Sequence, residues 1–291
     1  MTSATLRRLL TPLMALAIAG CGSEAERVSL DALAERTHFH GITVDQEDSE
    51  RLYLATHHGF HRLDLDGMTE QISEVSDDFM GFTPHPGDPT QFFASGHPQR
   101  GGNLGFIVSS DGGKSWSQRS PGVDGPVDFH QLTVSHADPD TLYGAYHGQL
   151  QISRDAGHGW HLQGPAPEGL IGLAASSQDP ERLYAATQAG LLMSPDAGRR
   201  WRQAYPEPRP TSLVATTATG DLYAFIAGVG LVHASEASRN WQLLSDGWGD
   251  NYLLHLAVDP QDPERLYAID ARDRVLASQD GGHSWHPLGA P

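Results

Sequence analysis

The sequence predicts an all-β chain built as a six-bladed β-propeller, and two periodic signals carry that prediction. An eight-residue motif recurs as SSDGGKSW (Ser109 to Trp116), SRDAGHGW (Ser153 to Trp160), SPDAGRRW (Ser194 to Trp201) and SQDGGHSW (Ser278 to Trp285), with a degenerate copy, ASEASRNW, from Ala234 to Trp241. The tryptophans fall at 116, 160, 201, 241 and 285, spaced by 44, 41, 40 and 44 residues, which is the size of a four-stranded blade. A second signal keeps the same phase six times: Leu52-Tyr53, Phe92-Phe93, Leu142-Tyr143, Leu183-Tyr184, Leu222-Tyr223 and Leu266-Tyr267. It adds a first unit in which HRLDLDG, from His61 to Gly67, stands where the motif would be.

The chain opens with a leader over residues 1–20. Arg7 and Arg8 precede a mostly apolar run from Leu9 to Ala19, too short for a stable membrane span and typical of a signal peptide. The segment IAGC, from Ile18 to Cys21, resembles a bacterial lipobox, which implies cleavage before Cys21 and a lipid on its sulfur. Cys21 is the only cysteine, so the mature fold uses neither disulfide nor thiolate chemistry. Gly22, rather than an aspartate, follows it, which implies sorting to the outer membrane. The expected organisation is a signal peptide over 1–20, a tether over 21–36 and one propeller over 37–291. A helix is expected only near Ser29 to Glu35 and in the leader.

Each unit repeats one order of elements. An apolar strand such as GITV (Gly41 to Val44) comes first. An Asp/Pro-rich turn such as DPQDPER (Asp259 to Arg265) follows, its residues suited to presetting and capping a turn. Then come a strand such as RLYAAT (Arg182 to Thr187), a strand such as GLLMS (Gly190 to Ser194), the motif, and a strand opened by tryptophan. Blades are expected to begin near residues 37, 78, 127, 169, 209 and 251.

The motif resembles the Asp-box of sialidases and related propellers, a hairpin turn between third and fourth strands on the periphery. The physical reading agrees. Asp111, Asp155, Asp196 and Asp280 can accept backbone N–H groups across the turn. Gly113, Gly157, Gly198 and Gly282 can take positive φ. Trp116, Trp160, Trp201 and Trp285 can pack between blades. The repeated motif is therefore scaffold, and function is sought elsewhere.

The formal charge is −17, and loss of a leader with two arginines and no acid takes it to −19. Such a surface repels nucleic acid and anionic lipid and attracts cations. No phosphate loop or dinucleotide fingerprint is present.

Aligning the six units exposes two unusual columns. Just before the innermost apolar run stand His40, Met80, His130, Ile171, Thr211 and Leu254. Four places past the second residue of each aromatic doublet stand His57, His97, His147, Gln188, Ala227 and Ala271. Units one to three fill both columns with metal-type ligands, and antiparallel pairing brings both columns to one mouth of the central channel. Imidazole suits copper and zinc, and the Met80 thioether favours copper, Cu(I) above all. Copper is thus the expected ion, ahead of zinc. His38, Asp78 and Asp128 are expected behind the ligands, orienting their imidazoles. Two alternatives stay open: histidines satisfying buried carbonyls, and catalysis without metal. His58, His61, His85, His136, His158, His161, His283 and His286 are expected on solvated turns and outer strands.

The segments HFHGI, ATHHGF, DFMGF, SGHP, NLGFIVSSDGGKSW and DFHQL together resemble bacterial Asp-box (BNR-repeat) propeller lipoproteins commonly labelled glycosyl hydrolases or sialidase-like. That label rests on the repeat. No innermost strand carries the arginines a sialidase uses for its substrate carboxylate, and the early Arg-Ile-Pro signature is absent. A different glycosidase would need two carboxylates about 5–9 Å apart, and Asp78 and Asp128 are the candidates for those catalytic roles. The expectations are therefore a monomeric, lipid-anchored envelope protein that binds metal. The alternatives are a glycoside hydrolase acting on a saccharide and a scaffold for an envelope protein partner.

Overall fold

The computed structural model describes residue 1 and residues 26–289. The expected signal peptide, lipobox and Cys21 lie outside the described residues.

Six antiparallel sheets are arranged around a central channel. Blade one contains β1 (Arg27–Ser29), β2 (Phe39–Val44), β3 (Arg51–Thr56), β4 (Gly59–Asp64) and β5 (Met68–Gln71), with α1 (Leu30–Ala34) between β1 and β2. Blade two contains β6 (Asp78–Pro84), β7 (Phe92–His97), β8 (Phe106–Ser109) and β9 (Ser117–Ser120). Blade three contains β10 (Gln131–Val134), β11 (Leu142–Tyr146), β12 (Gln149–Ser153) and β13 (His161–Pro165). Blade four contains β14 (Leu170–Ala175), β15 (Leu183–Thr187), β16 (Gly190–Ser194) and β17 (Arg202–Gln203). Blade five contains β18 (Thr211–Thr216), β19 (Asp221–Ile226), β20 (Gly230–Ser235) and β21 (Gln242–Ser245). Blade six contains β22 (Leu253–Val258), β23 (Leu266–Asp270), β24 (Val275–Ser278) and β25 (His286–Pro287). The innermost strands β2, β6, β10, β14, β18 and β22 contact one another in turn, and β22 returns to β2.

The chain joins the propeller ten residues before the expected boundary at 37. β1 pairs with β5 as a fifth, outermost strand of blade one, so residues 27–36 are not a free tether. α1 falls where the helix was expected: the Ser29 hydroxyl accepts from Ala32 N at its N-cap, and Leu30 and Leu33 are buried.

Blades six and one close the ring by packing, without exchanging a strand. Ala257, Tyr267 and Ile269 share one apolar cluster with Ile42, Leu52 and Leu54. Polar clasps reinforce the seam: Ser49 Oγ donates to Asp259 at 3.0 Å, and Arg265 donates to the Ser49 carbonyl at 2.9 Å.

The repeated octapeptide links the third and fourth strands of its blade. Asp111 Oδ1 accepts from Lys114 N at 3.1 Å and Ser115 N at 3.0 Å, and Asp111 Oδ2 accepts from the Ser115 hydroxyl at 2.6 Å. Gly113 has φ +87°, and a Cβ there would lie 2.3 Å from the Phe60 ring of blade one. Trp116 packs against Phe60 and Phe79, which belong to blades one and two. The motif thus spaces neighbouring blades on the periphery.

Candidate functional site

The site grows from a short repeated pattern at the start of three blades. In His38-Phe39-His40, Asp78-Phe79-Met80 and Asp128-Phe129-His130, the central phenylalanines are 3%, 0% and 0% exposed. In extended chain, neighbours of a buried residue point the opposite way. Burying each phenylalanine therefore turns its flanking polar residues out of the core. A register shift between Phe39 and Gly41 frees His40 from the ladder with β3. Such a bulge re-aims a side chain. Two glycines allow close packing behind the site. A Cβ on Gly96, at φ +125°, would lie 1.9 Å from the Asp78 carbonyl oxygen. One on Gly81, at φ +55°, would lie 2.1 Å from the Phe129 carbonyl oxygen.

Two clusters result, each at a seam between blades. In the first, His40, His57 and Asp78 bring three candidate ligand atoms within 4.8 Å of one another; in the second, His97, Asp128 and His130 do the same. His40 Nδ1 lies 3.0 Å from Asp78 Oδ1, and His57 Nδ1 lies 3.0 Å from Asp78 Oδ2. His97 Nε2 and His130 Nε2 lie 2.9 and 2.7 Å from Asp128 Oδ2. The carboxylates are the enclosed members, with the side chains of Asp78 and Asp128 only 11% and 7% exposed. His57, His97 and His130 are much more open.

A buried carboxylate demands compensating positive charge. Asp128 accepts a hydrogen bond from His130 at 2.7 Å when that imidazole is protonated, and this bond raises the His130 pKa. Burial opposes the rise, and the charges of Asp128 and then Asp78 add to it. The Asp128 Oδ1 atom is buried and accepts no hydrogen bond. His97 is more informative. Its Nδ1 lies 2.8 Å from the Gly102 carbonyl, which can only accept, so Nδ1 carries a proton. In neutral imidazole Nε2 then bears the lone pair, facing a carboxylate oxygen at 2.9 Å. Two acceptors so placed need a proton or a metal ion between them. At the first cluster, His40 Nδ1 and Asp78 Oδ1 are 3.0 Å apart, buried and without a hydrogen-bond partner. Ligand atoms each about 2.0–2.2 Å from a shared ion lie roughly 3–3.6 Å from one another, and the His40–Asp78 and His57–Asp78 contacts fall at the short end of that range.

The expected ligands are therefore brought together only in part. His40, His57, His97 and His130 reach the clusters. Asp78 and Asp128 stand among the candidate ligand atoms, where the sequence placed them behind. Met80 stays half-buried on β6, and the third ligand atom beside His40 and His57 is a carboxylate oxygen. His147 is exposed in the β11–β12 turn at φ +48°, its ring stacked on Tyr146 at 3.9 Å. The cause is the next blade: Asp78 and Asp128 face His57 and His97, whereas Gly169 occupies the corresponding place in blade four. His38 belongs to neither cluster; its Nδ1 contacts Asp273 Oδ2 at 2.7 Å across the seam of blades six and one.

Two histidines expected on the surface are enclosed. His61 is 5% exposed, and burial pushes its pKa down to about 4. His136 lines the far part of the channel, and burial lowers its pKa as well. Sequence reasoning missed His255. It lines the channel, and its enclosure, followed by the neighbouring His40, pushes its pKa down to about 4. The signal was present in HLAV, but register placed Leu254 in the aligned column. The shift between Leu253 and His255 leaves Leu254 unpaired, as the shift in blade one leaves His40, so His255 stands one place further on, at the register position of Gly41.

No protein-family model matches the chain, and no curated protein matches it in sequence. Solved structures resemble it in fold. A GH74 xyloglucanase from Xanthomonas campestris aligns at 20% identity and TM-score 0.58, over 91% of this chain and 47% of its own. A GH74 enzyme from Niastella koreensis aligns at 14% identity and TM-score 0.61, over 86% of this chain and 45% of its own. YCF48 bound to D1 peptide aligns at 15% identity and TM-score 0.52, over 90% of this chain and 84% of its own. The chain thus spans less than half the length of these GH74 proteins. At these identities the likeness establishes the propeller fold.

Proposed function

We propose that this chain is a metal-binding propeller of the cell envelope, holding divalent transition-metal ions at two His₂Asp sites on adjacent blade seams. The observation that supports this best is the meeting of His97 Nε2 with Asp128 Oδ2 at 2.9 Å while Nδ1 of the same ring faces a carbonyl. Two imidazoles and one carboxylate suit zinc, copper(II) and non-haem iron, with open coordination positions. Copper heads the affinity order for such nitrogen and oxygen donors, so it remains the preferred ion, as Cu(II), ahead of zinc. Cu(I) would favour recruitment of Met80. The acidic chain concentrates cations near the sites. The lipobox reading tethers the protein to the membrane, with the outer membrane favoured by Gly22.

Elemental analysis of purified protein, followed by Cu(II) and Zn(II) titration, tests the reading. Two ions per chain, lost on substitution of the carboxylates, is the expected result. Failure to bind either ion would leave the four histidines as hydrogen-bonding partners of the two enclosed carboxylates. Met80→Leu separates the oxidation states: it should weaken Cu(I) and leave Zn(II) unchanged.

The second reading is a glycoside hydrolase using Asp78 and Asp128, favoured by the fold likeness to GH74 enzymes. Both carboxylates are flanked by imidazoles. That arrangement engages both oxygens of Asp78 and one of Asp128, leaving them less free to reach a glycosidic oxygen. Turnover of any aryl-glycoside or xyloglucan oligosaccharide, abolished by Asp78→Asn, would revive it.

A further inference from the structure

The two clusters open onto one space. His40 of the first and His130 of the second both line the central cavity of about 740 Å³. They stand on β2 and just before β10, on either side of blade two. At that level blade two lines the cavity with Gly81, so no side chain from this position separates the clusters. Glycine also draws the three innermost strands together. A Cβ on Gly41 would lie 3.1 Å from the Phe82 ring, and one on Gly81 would lie 2.1 Å from the Phe129 carbonyl oxygen. The charge of Asp78 is felt across the seam at His130. The side chains of His57, His97 and His130 are 51%, 42% and 53% exposed, so solutes reach both clusters. No residue belongs to both. Two ions held there would therefore stand farther apart than a pair sharing one carboxylate.

We propose that the two sites act together on one ligand, a small dianion with a carboxylate at each end that bridges the two ions across Gly81. This rests on the metal reading above and adds the class of ligand. Each divalent ion, held by two neutral imidazoles and one carboxylate, keeps one net positive charge, so the loaded pair matches a dianion. Three protein ligands leave coordination positions open at each ion. Sites without a shared residue suit a ligand with two separate ends better than one with a single central atom. Once one end is bound, the second contact is intramolecular and gains from its high effective concentration. The chain carries a formal charge of −17, so it attracts such a ligand only where the ions reverse that charge.

The test uses Co(II)-loaded protein, whose visible absorption reports ligands entering the metal's coordination sphere. It is titrated with acetate and then with malonate, succinate, glutarate and adipate. Malonate chelates a single ion, so the three longer dianions carry the comparison with acetate. The best of the three is expected to bind about 100-fold more tightly than acetate, with one dianion per two ions. Asp78→Asn and Asp128→Asn each leave one site, and in both the advantage over acetate should disappear. Either variant serves if the other fails to fold, and the stoichiometry of the parent needs neither. One dianion per ion, or affinity no better than that of acetate, would overturn the bridging proposal and leave the metal reading standing. An advantage that persists in both variants would also overturn it. If Co(II) does not bind, the metal reading fails and the bridging proposal fails with it.

Discussion

His57, just beyond the second strand of blade one, places its Nδ1 atom 3.0 Å from Oδ2 of Asp78 at the start of blade two. One blade further on, His97 and Asp128 repeat the relationship at 2.9 Å. A side chain from one blade thus meets a buried carboxylate from the next, and each candidate site exists only where two blades join. Removing a carboxylate should therefore remove one site and spare the other. Asp78→Asn and Asp128→Asn keep shape but lose the charged donor. Each should lower metal stoichiometry from two to one, with affinity at the altered site falling by at least about 10-fold. Calorimetric titration reads both quantities, and unchanged stoichiometry in both variants would contradict the assignment.

Gly96 should be essential to the first cluster without touching it. Its φ is +125°, and only 1.9 Å would separate an added Cβ from the Asp78 carbonyl oxygen, which leaves no room for a side chain. Gly96→Ala should cost about 1–3 kcal/mol from backbone strain alone. It should also weaken metal binding at the Asp78 cluster, because β6 must move. Urea unfolding gives the first effect and metal titration the second. An alanine variant as stable as the parent would show that the local backbone is not fixed as described.

His61 should make the propeller acid-sensitive. In the unfolded chain a histidine takes up a proton near pH 6.5, whereas buried His61 waits until about 4. Between those values the unfolded chain binds more protons, so stability falls as pH drops from 6.5 toward 4. The loss amounts to roughly 3 kcal/mol at about 1.36 kcal/mol per unit. His61→Leu should remove this part of the pH dependence, seen as a smaller difference between urea midpoints at pH 7 and pH 4.5. An unchanged difference would assign the acid sensitivity elsewhere.

Anchoring turns on Cys21. Cys21→Ser should leave an unlipidated precursor or release the protein into the soluble fraction. Fractionation with lipid labelling distinguishes these outcomes from a variant still processed and labelled like the parent, which would exclude the lipobox.

The sequence by itself determined the scaffold. Motif spacing and the aromatic doublets count six blades because each blade must present the same turn and the same core pair to its neighbours. The first blade lacks the octapeptide, yet Leu52 and Tyr53 still mark it, and Leu52 is fully buried. Sequence also marked blades one to three as chemically different, since His40, His57, His97 and His130 broke the pattern of their columns. Tertiary structure decided which of these side chains meet. Columns align residues within blades, whereas three of the four imidazole–carboxylate contacts run between blades, and only His130 and Asp128 meet within one. In the fold, His40 and His57 of blade one both approach Asp78 of blade two. His147 occupied the right column but faces a blade with no carboxylate in place. His255 stands outside both columns, at the register position of Gly41, and only the closed ring shows it lining the channel. Repetition is a local property that a sequence displays directly. The seam, the bulge and the enclosed carboxylate arise only when the blades close into a ring.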